Sequence, residues 1–378
     1  MAGLTRRTLT ASIVSLIGPP AFARGGQVKI PFALTHNVPS TAGTVNGRAA
    51  GPLLISTGHA WVTFERQILQ NAGAVEAGAS WADTALGRRQ ASFYGTDRIV
   101  LDGRLTLNDY YVASLPPGTA DPDFQGVVGG LFGRRAAMFD FDARTLMIGR
   151  RSQFTTEGFR PLRSLGGPPA RVSETSTFSR WGPVTHVAFE WNALFDRRPI
   201  VKAVLDGREL RLLLDTGFGG AVLLYGEGRQ KAAPDGQAWL FGEGPATRIE
   251  RASQLELGGI RLKDPVVEYV QDGVQPHHSA KTIDGIVGME VLRRTQLLLD
   301  LGREEVMLKP NAALNDPFDY NRSGMSLTKV GRDILVARVT SGAPAWRAGL
   351  RPGDKLVRWD GAASLRGLSQ RFSRPPGA

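Results

Sequence analysis

Two long stretches of this chain repeat one another, and that repeat restricts the possible folds more than any other feature. The first copy opens with Val28-Lys29-Ile30-Pro31-Phe32. It continues through Val45-Asn46-Gly47 to Leu53-Leu54-Ile55-Ser56-Thr57-Gly58. The second opens with Val187-Ala188-Phe189 and runs through Val204-Leu205-Asp206-Gly207 to Leu212-Leu213-Leu214-Asp215-Thr216-Gly217. Downstream, Leu101-Asp102-Gly103 answers to Leu257-Gly258-Gly259, Gly126-Val127-Val128-Gly129 to Gly285-Ile286-Val287-Gly288, and Phe139-Asp140 to Leu299-Asp300. Ser56 stands 70 residues before Gly126, and Asp215 stands 70 before Gly285. Equal spacing between unlike motifs marks a duplicated structural unit.

Each unit reads as short strands joined by turns. Asn46-Gly47 and Asp206-Gly207 lie between apolar runs, the pattern of a two-residue hairpin turn. Leu212-Leu213-Leu214 and Ile286-Val287 are short apolar runs bounded by turn residues, so they read as buried strands. Short helices are expected after Thr63-Phe64-Glu65 and at Glu290–Arg294. With 46 Gly and 23 Pro in 378 residues, punctuation favours many strands over long helices. Residues 151–183 hold Gly166-Gly167-Pro168-Pro169 and Ser/Thr clusters without a sustained period, and read as a linker. The units are then residues 27–150 and 184–310.

Composition removes several function classes. The chain has no Cys, which excludes disulfides, thiolate metal sites and a Cys nucleophile. Its five His have no metal-ligand spacing, so no metal or other cofactor is expected. Net charge is +11, but the basic residues are scattered and never run to five. That describes a solvated basic surface rather than a nucleic-acid interface.

Residues 1–23 have the layout of an export signal. Arg6-Arg7 precedes an apolar stretch from Leu9 to Ile17, then Gly18-Pro19-Pro20, then Ala21-Phe22-Ala23 as a small-residue cleavage site. Thr5-Arg6-Arg7-Thr8-Leu9 resembles a twin-arginine signal. The apolar run is too short for a permanent span. The mature chain is expected outside the cytoplasm, in a periplasm or beyond, without a stable membrane span.

The loop at Asp215 carries the chemistry. An apolar run ending in Asp-Thr-Gly sets a carboxylate at the end of a buried strand, and Gly217 lets backbone N–H groups turn toward it. Together with the duplication and Ile286-Val287-Gly288, this resembles the retropepsin-like aspartic protease family. The resemblance covers about two-thirds of the chain. It implies an all-β fold of two tandem retropepsin- or pepsin-like lobes of closed-barrel type around a shared cleft. It implies that Asp215, Thr216 and Gly217 form a catalytic loop and that Ile286, Val287 and Gly288 support it. In such sites two carboxylates share one proton; one activates water while the other donates to the peptide carbonyl. The hairpin bearing Trp239, Gly242 and Gly244 would fold over the substrate as a flap.

The first copy departs from this pattern. Ser56-Thr57-Gly58 keeps the loop but lacks the carboxylate, and a hydroxyl is too weak an acid to share that proton. The expected activity is that of an aspartic endopeptidase on peptides or unfolded protein. The alternative is an inactive relative that binds extended peptides. A homodimer could bring two Asp215 together if the first copy swung aside. His59 follows the degenerate loop and reads as a strand-end surface residue.

A third segment, 324–378, holds Ile334–Val339 as a strand, Ala348-Gly349-Leu350-Arg351-Pro352-Gly353-Asp354 as a turn, and Leu356–Gly361 as another strand. It resembles a bacterial PDZ domain, a fold that adds a peptide as a strand. The final strands of that pattern are missing.

Overall fold

Both Asx-Gly dipeptides make their turns. In the computed structural model Val45 pairs with Arg48 and Leu205 with Arg208, each across a two-residue turn. Asn46 and Gly47 have φ of 48° and 81°, and Asp206 and Gly207 repeat these values. This left-handed pair matches the twist of the flanking strands, and Asn, Asp and Gly tolerate it best. The structure describes residues 26–59, 61–84, 87–115, 124–130, 135–165, 198–225, 247–270, 283–318, 323–330, 333–339 and 344–357.

Each turn feeds a strand that ends at a candidate loop, Arg48–Ile55 in the first lobe and Arg208–Leu214 in the second. Leu53, Leu54 and Ile55 pair in parallel with Gly126, Val127 and Val128; Leu212, Leu213 and Leu214 pair in parallel with Gly285, Ile286 and Val287. The registers are the same. Val62–Glu65 and Val222–Leu224 run antiparallel to these short strands. Leu105–Leu115 and Val266–Val270 then join in parallel. Eight described strands form a sheet in each lobe. In the first lobe Val38–Val45 also pairs with Gly87–Leu101, which folds the sheet back on itself. No such closing pair occurs among the described strands of the second. The expected helices are present, at Arg66–Asn71 and Met289–Leu292.

A six-stranded sheet joins the lobes. Ala136–Asp140 pairs antiparallel with Thr295–Asp300, and Met138 lies opposite Leu298 at the centre of a near two-fold arrangement. The main core runs through both lobes and includes Leu53, Ile55, Val128, Phe139, Leu212, Leu214, Val287 and Leu297, all nearly inaccessible. The fold is therefore all-β and two-lobed, as the repeat implies.

The segment read as a linker contains regular structure. Arg151–Gln153 form a 3₁₀ turn, and Arg160–Arg163 form an edge strand on Glu305–Pro310. This strand holds the place in the central sheet that Val28–Pro31 holds on Thr145–Gly149 at the opposite edge. Arg160-Pro161-Leu162-Arg163 turns only Leu162 partly inward, so no apolar alternation announces it. Val187-Ala188-Phe189, expected to open the second unit, lies outside the described residues.

Residues 1–23 also lie outside the described residues. No described helix is long and apolar enough to cross a membrane. In the third segment Met325–Val330 pairs with Asp333–Val339, and Leu335 bridges to Lys355. Pro344–Arg347 forms a helical turn, and Ala345 packs with Met325 and Val336 into a small separate core.

Candidate active site

The two candidate loops meet at the lobe boundary and hold each other by reciprocal hydrogen bonds. The Thr57 N–H donates to Thr216 Oγ1 at 3.1 Å, and the Thr216 N–H donates to Thr57 Oγ1 at 3.1 Å. Each hydroxyl then donates to the backbone of the opposite strand: Thr57 to the Leu214 carbonyl at 2.7 Å, Thr216 to the Ile55 carbonyl at 2.8 Å. Both threonines are buried, and in these four bonds each hydroxyl accepts once and donates once. A hydroxyl is needed at both positions because an apolar side chain would leave a buried donor and acceptor unmet.

The apolar-apolar-Gly strands lie against these loops. The Asp215 N–H donates to the Val287 carbonyl at 2.9 Å, and the Ser56 N–H to the Val128 carbonyl at 3.1 Å. A side chain on Gly288 would collide with the carbonyls of Phe218 and Gly220, and one on Gly129 with that of His59. Glycine lets the chain after each Asp/Ser-Thr-Gly loop press onto its support.

Symmetry breaks at the carboxylate. Asp215 Oδ1 accepts three hydrogen bonds: from Gly217 N–H at 2.7 Å, from the Ser56 hydroxyl at 2.8 Å and from Gly58 N–H at 3.1 Å. Ser56 Oγ in turn accepts the His59 N–H at 3.0 Å. Oδ2 carries no hydrogen bond among the described residues. Ser56 thus sits where a second carboxylate would, bonded to the first within one chain. A second Asp215 from another subunit would need the place Ser56 fills.

His59 is not the surface residue its position suggested. It is half-buried, and its Nε2 lies 3.4 Å from Thr63 Oγ1. Burial pushes its pKa down to about 4, with Asp215 pulling upward and Arg198 pushing downward. The folded value lies below the unfolded 6.5, so the unfolded chain takes up the proton first as pH falls. Stability should therefore drop between about pH 6.5 and about pH 4. His59→Gln should flatten that decline in urea unfolding followed across the window, and an equally steep decline in the variant would refute the assignment.

Two further groups near the site carry no signal in the sequence, and one of them feels Asp215 directly. Tyr225, just after Val222–Leu224, is pushed up to about 12 by burial and then by Asp215, against Arg198. Its hydroxyl stays protonated and can donate. Arg198, just before Ile200–Leu205, places a cation within range of Tyr225 and His59. Neither belongs to a local motif; both arrive through the folding of the lobe. Glu268 shows a related effect: burial pushes its carboxyl up to about 7, and one oxygen lies against Gly220, in the stretch following Asp-Thr-Gly. Leu213, Ile200 and Ile283 form an apolar patch with Tyr225 and Ile286 at its margin. The flap candidates Trp239, Gly242 and Gly244 lie outside the described residues. Among those described, no group of His, Asp and Glu could hold a metal ion.

No protein-family model matches the chain, and no curated protein matches it in sequence. Among solved structures it is similar to an aspartic proteinase from Irpex lacteus, at 10% identity over 76% of this chain and 98% of that one, with a TM-score of 0.47. It is also similar to Basic 7S globulin from soybean, at 9% identity over 75% of this chain and 95% of that one, with a TM-score of 0.40. Likenesses this distant concern overall shape and carry no argument about chemistry.

Proposed function

We propose that this chain is an aspartic-type peptidase in which Asp215 alone activates the attacking water. The observation that carries the reading is the hydrogen-bond pattern at Asp215. Oδ1 is fixed by three donors, and Oδ2, which takes no hydrogen bond from the described residues, is placed to accept a proton. In the step proposed, water gives a proton to Oδ2 while its oxygen adds to the peptide carbonyl carbon. The proton then passes from Oδ2 to the amide nitrogen as the C–N bond breaks and the oxyanion re-forms a carbonyl; Ser56, whose single hydroxyl proton is given to Oδ1, supplies no acid to that oxyanion. The missing general acid should make hydrolysis about 10²–10⁴-fold slower than a two-carboxylate site would achieve.

Ser56 itself favours a second reading, a cleft that binds extended peptides without cleaving them. One experiment separates the two. The mature chain is incubated with a library of unfolded peptides from about pH 3 to 8, beside Asp215→Asn. Cleavage lost in the variant supports the peptidase. Peptides bound but uncut by both proteins would overturn it in favour of the binding protein.

The reading extends to the flanks of the chain. The 324–378 segment would capture peptide as an added strand, and residues 1–23 would direct export and be removed. N-terminal sequencing of protein recovered from outside the cytoplasm checks the second point, expecting a start near residue 24.

A further inference from the structure

A further tie between the lobes lies outside the paired threonines, and it grips the stretch that follows Asp-Thr-Gly. Ala33–Thr35 and Val38–Val45 form a hairpin in the first lobe, with Thr35 opposite Val38 across a two-residue turn. His36 and Asn37 at its tip have φ of 49° and 64°, a backbone that asparagine tolerates well. Asn37 reaches across to the second lobe. Its Nδ2 donates to the Gly219 carbonyl at 2.8 Å and to Glu290 Oε1 at 2.8 Å. Both amide hydrogens are thus spent on the other lobe. The His36 carbonyl presses on the same spot, since a Cβ built on Gly219 would lie 2.9 Å from it. Glycine lets the hairpin tip come that close.

Glu290 is itself held in place. Arg293 Nη2 lies 3.0 Å from its Oε2, and Arg294 Nη2 lies 3.5 Å away. Arg294 is fully buried and donates to the carbonyls of Glu290, Ala313, Asp316 and Pro317. The carboxylate therefore offers Asn37 a charged acceptor already aimed, and charge-assisted bonds are the stronger kind. Glu290 stands two residues after Gly288; two residues after Gly129, in the first copy, stands Leu131. The acidic anchor belongs to the copy that carries Asp215.

The gripped stretch leads directly into the Asp215 loop. The Phe218 N–H donates to the Asp215 carbonyl at 3.2 Å. The Phe218 carbonyl accepts the Met289 N–H at 2.7 Å, and the Gly220 carbonyl accepts the Glu290 N–H at 3.1 Å. The Gly219 carbonyl between them is the one that Asn37 takes. Two residues earlier, the Gly217 N–H donates to Asp215 Oδ1. A shift of Gly219 would move a donor that orients the carboxylate.

We propose that Asn37 is a positioning residue for Asp215: from the first lobe it pins Gly219, and with it the chain that sets the carboxylate against Ser56. This rests on the peptidase reading only for its effect on cleavage.

Two variants separate the amide from the turn. Asn37→Gly keeps the left-handed backbone and removes the amide. Asn37→Asp keeps the size but sets acceptors against a carbonyl and a carboxylate. Each is measured in the full-length protein by kcat and KM on one cleaved peptide, and by backbone hydrogen–deuterium exchange. Misplacing a reacting group by about 1 Å costs about 10²-fold, so kcat should fall at least about tenfold while KM changes less than about threefold. Exchange should speed at least about tenfold in the fragment covering residues 216–220. It should stay unchanged across Leu105–Leu115, a strand elsewhere in the first lobe. Asn71→Ala, at an exposed asparagine, should change neither reading.

Normal kcat in both variants would overturn the proposal. So would exchange that speeds equally in both fragments, which marks a general loosening. A parent that cleaves no peptide sinks the peptidase reading instead. Faster exchange confined to residues 216–220 would then still establish the pin, and unchanged exchange there would overturn it.

Discussion

Ser56→Asp should raise peptide cleavage by about 10²–10⁴-fold, the usual contribution of a well-placed general acid. The new carboxyl would enter a site whose frame is already built. Ser56 Oγ is 2.8 Å from Asp215 Oδ1, and the loop beneath it is fixed by the Thr57–Thr216 bonds. Two carboxyls at that separation cannot both ionise easily, so they should titrate as a pair holding one proton. The same pairing predicts a stability signature. A proton bound more tightly in the folded state stabilises it at low pH, and that contribution disappears as pH rises through the pair's upper ionisation. The variant should therefore be less stable than the parent near pH 7 and recover in acid. A fully folded variant with no gain in cleavage at any pH would show that Ser56 is not what limits the site.

Thr216→Val should destabilise the protein by about 2–5 kcal/mol, the cost of leaving a buried acceptor and a buried donor unmet. Val has the same shape, so little cavity forms. What disappears is the hydroxyl that donates to the Ile55 carbonyl and accepts the Thr57 N–H. Folded proteins are stable by only about 5–15 kcal/mol, so this is a large fraction of the total. Thr57→Val should cost a similar amount. The double variant should cost less than the sum, because the two hydroxyls belong to one network. Urea-unfolding midpoints of the three variants give the comparison. A Thr216→Val cost below about 1 kcal/mol would mean that the loops are held by packing rather than by these bonds.

How much of this was legible in the sequence depended on the range of the interactions. Asn46-Gly47 and Asp206-Gly207 declare their turns because a left-handed pair of φ angles is a local demand. The pairing of Leu53–Ile55 with Gly126–Val128, and its copy in the second lobe, was legible because the repeat preserves the spacing. Ser56 facing Asp215 followed from the same repeat. The strand Arg160–Arg163 was not legible, because an exposed edge strand needs no inward apolar face. Arg198, Tyr225 and Glu268 were not legible either. Each acquires its role from what the lobe brings beside it, and nothing in its neighbours along the chain marks it. His59 was misjudged for a similar reason: its backbone N–H is used by Ser56 and its ring is drawn in toward Thr63.

In the proposed peptidase, one carboxylate, not two, does the chemistry at this lobe boundary. The most direct measurement is the pH dependence of kcat/KM for the parent protein beside Ser56→Asp, on one peptide from the library. For the parent, a single ascending limb is expected, because only one carboxyl must lose its proton. For Ser56→Asp, a bell is expected, because one carboxyl must be ionised and the other protonated. A bell-shaped profile in the parent, or a parent with no activity at any pH, would contradict the account.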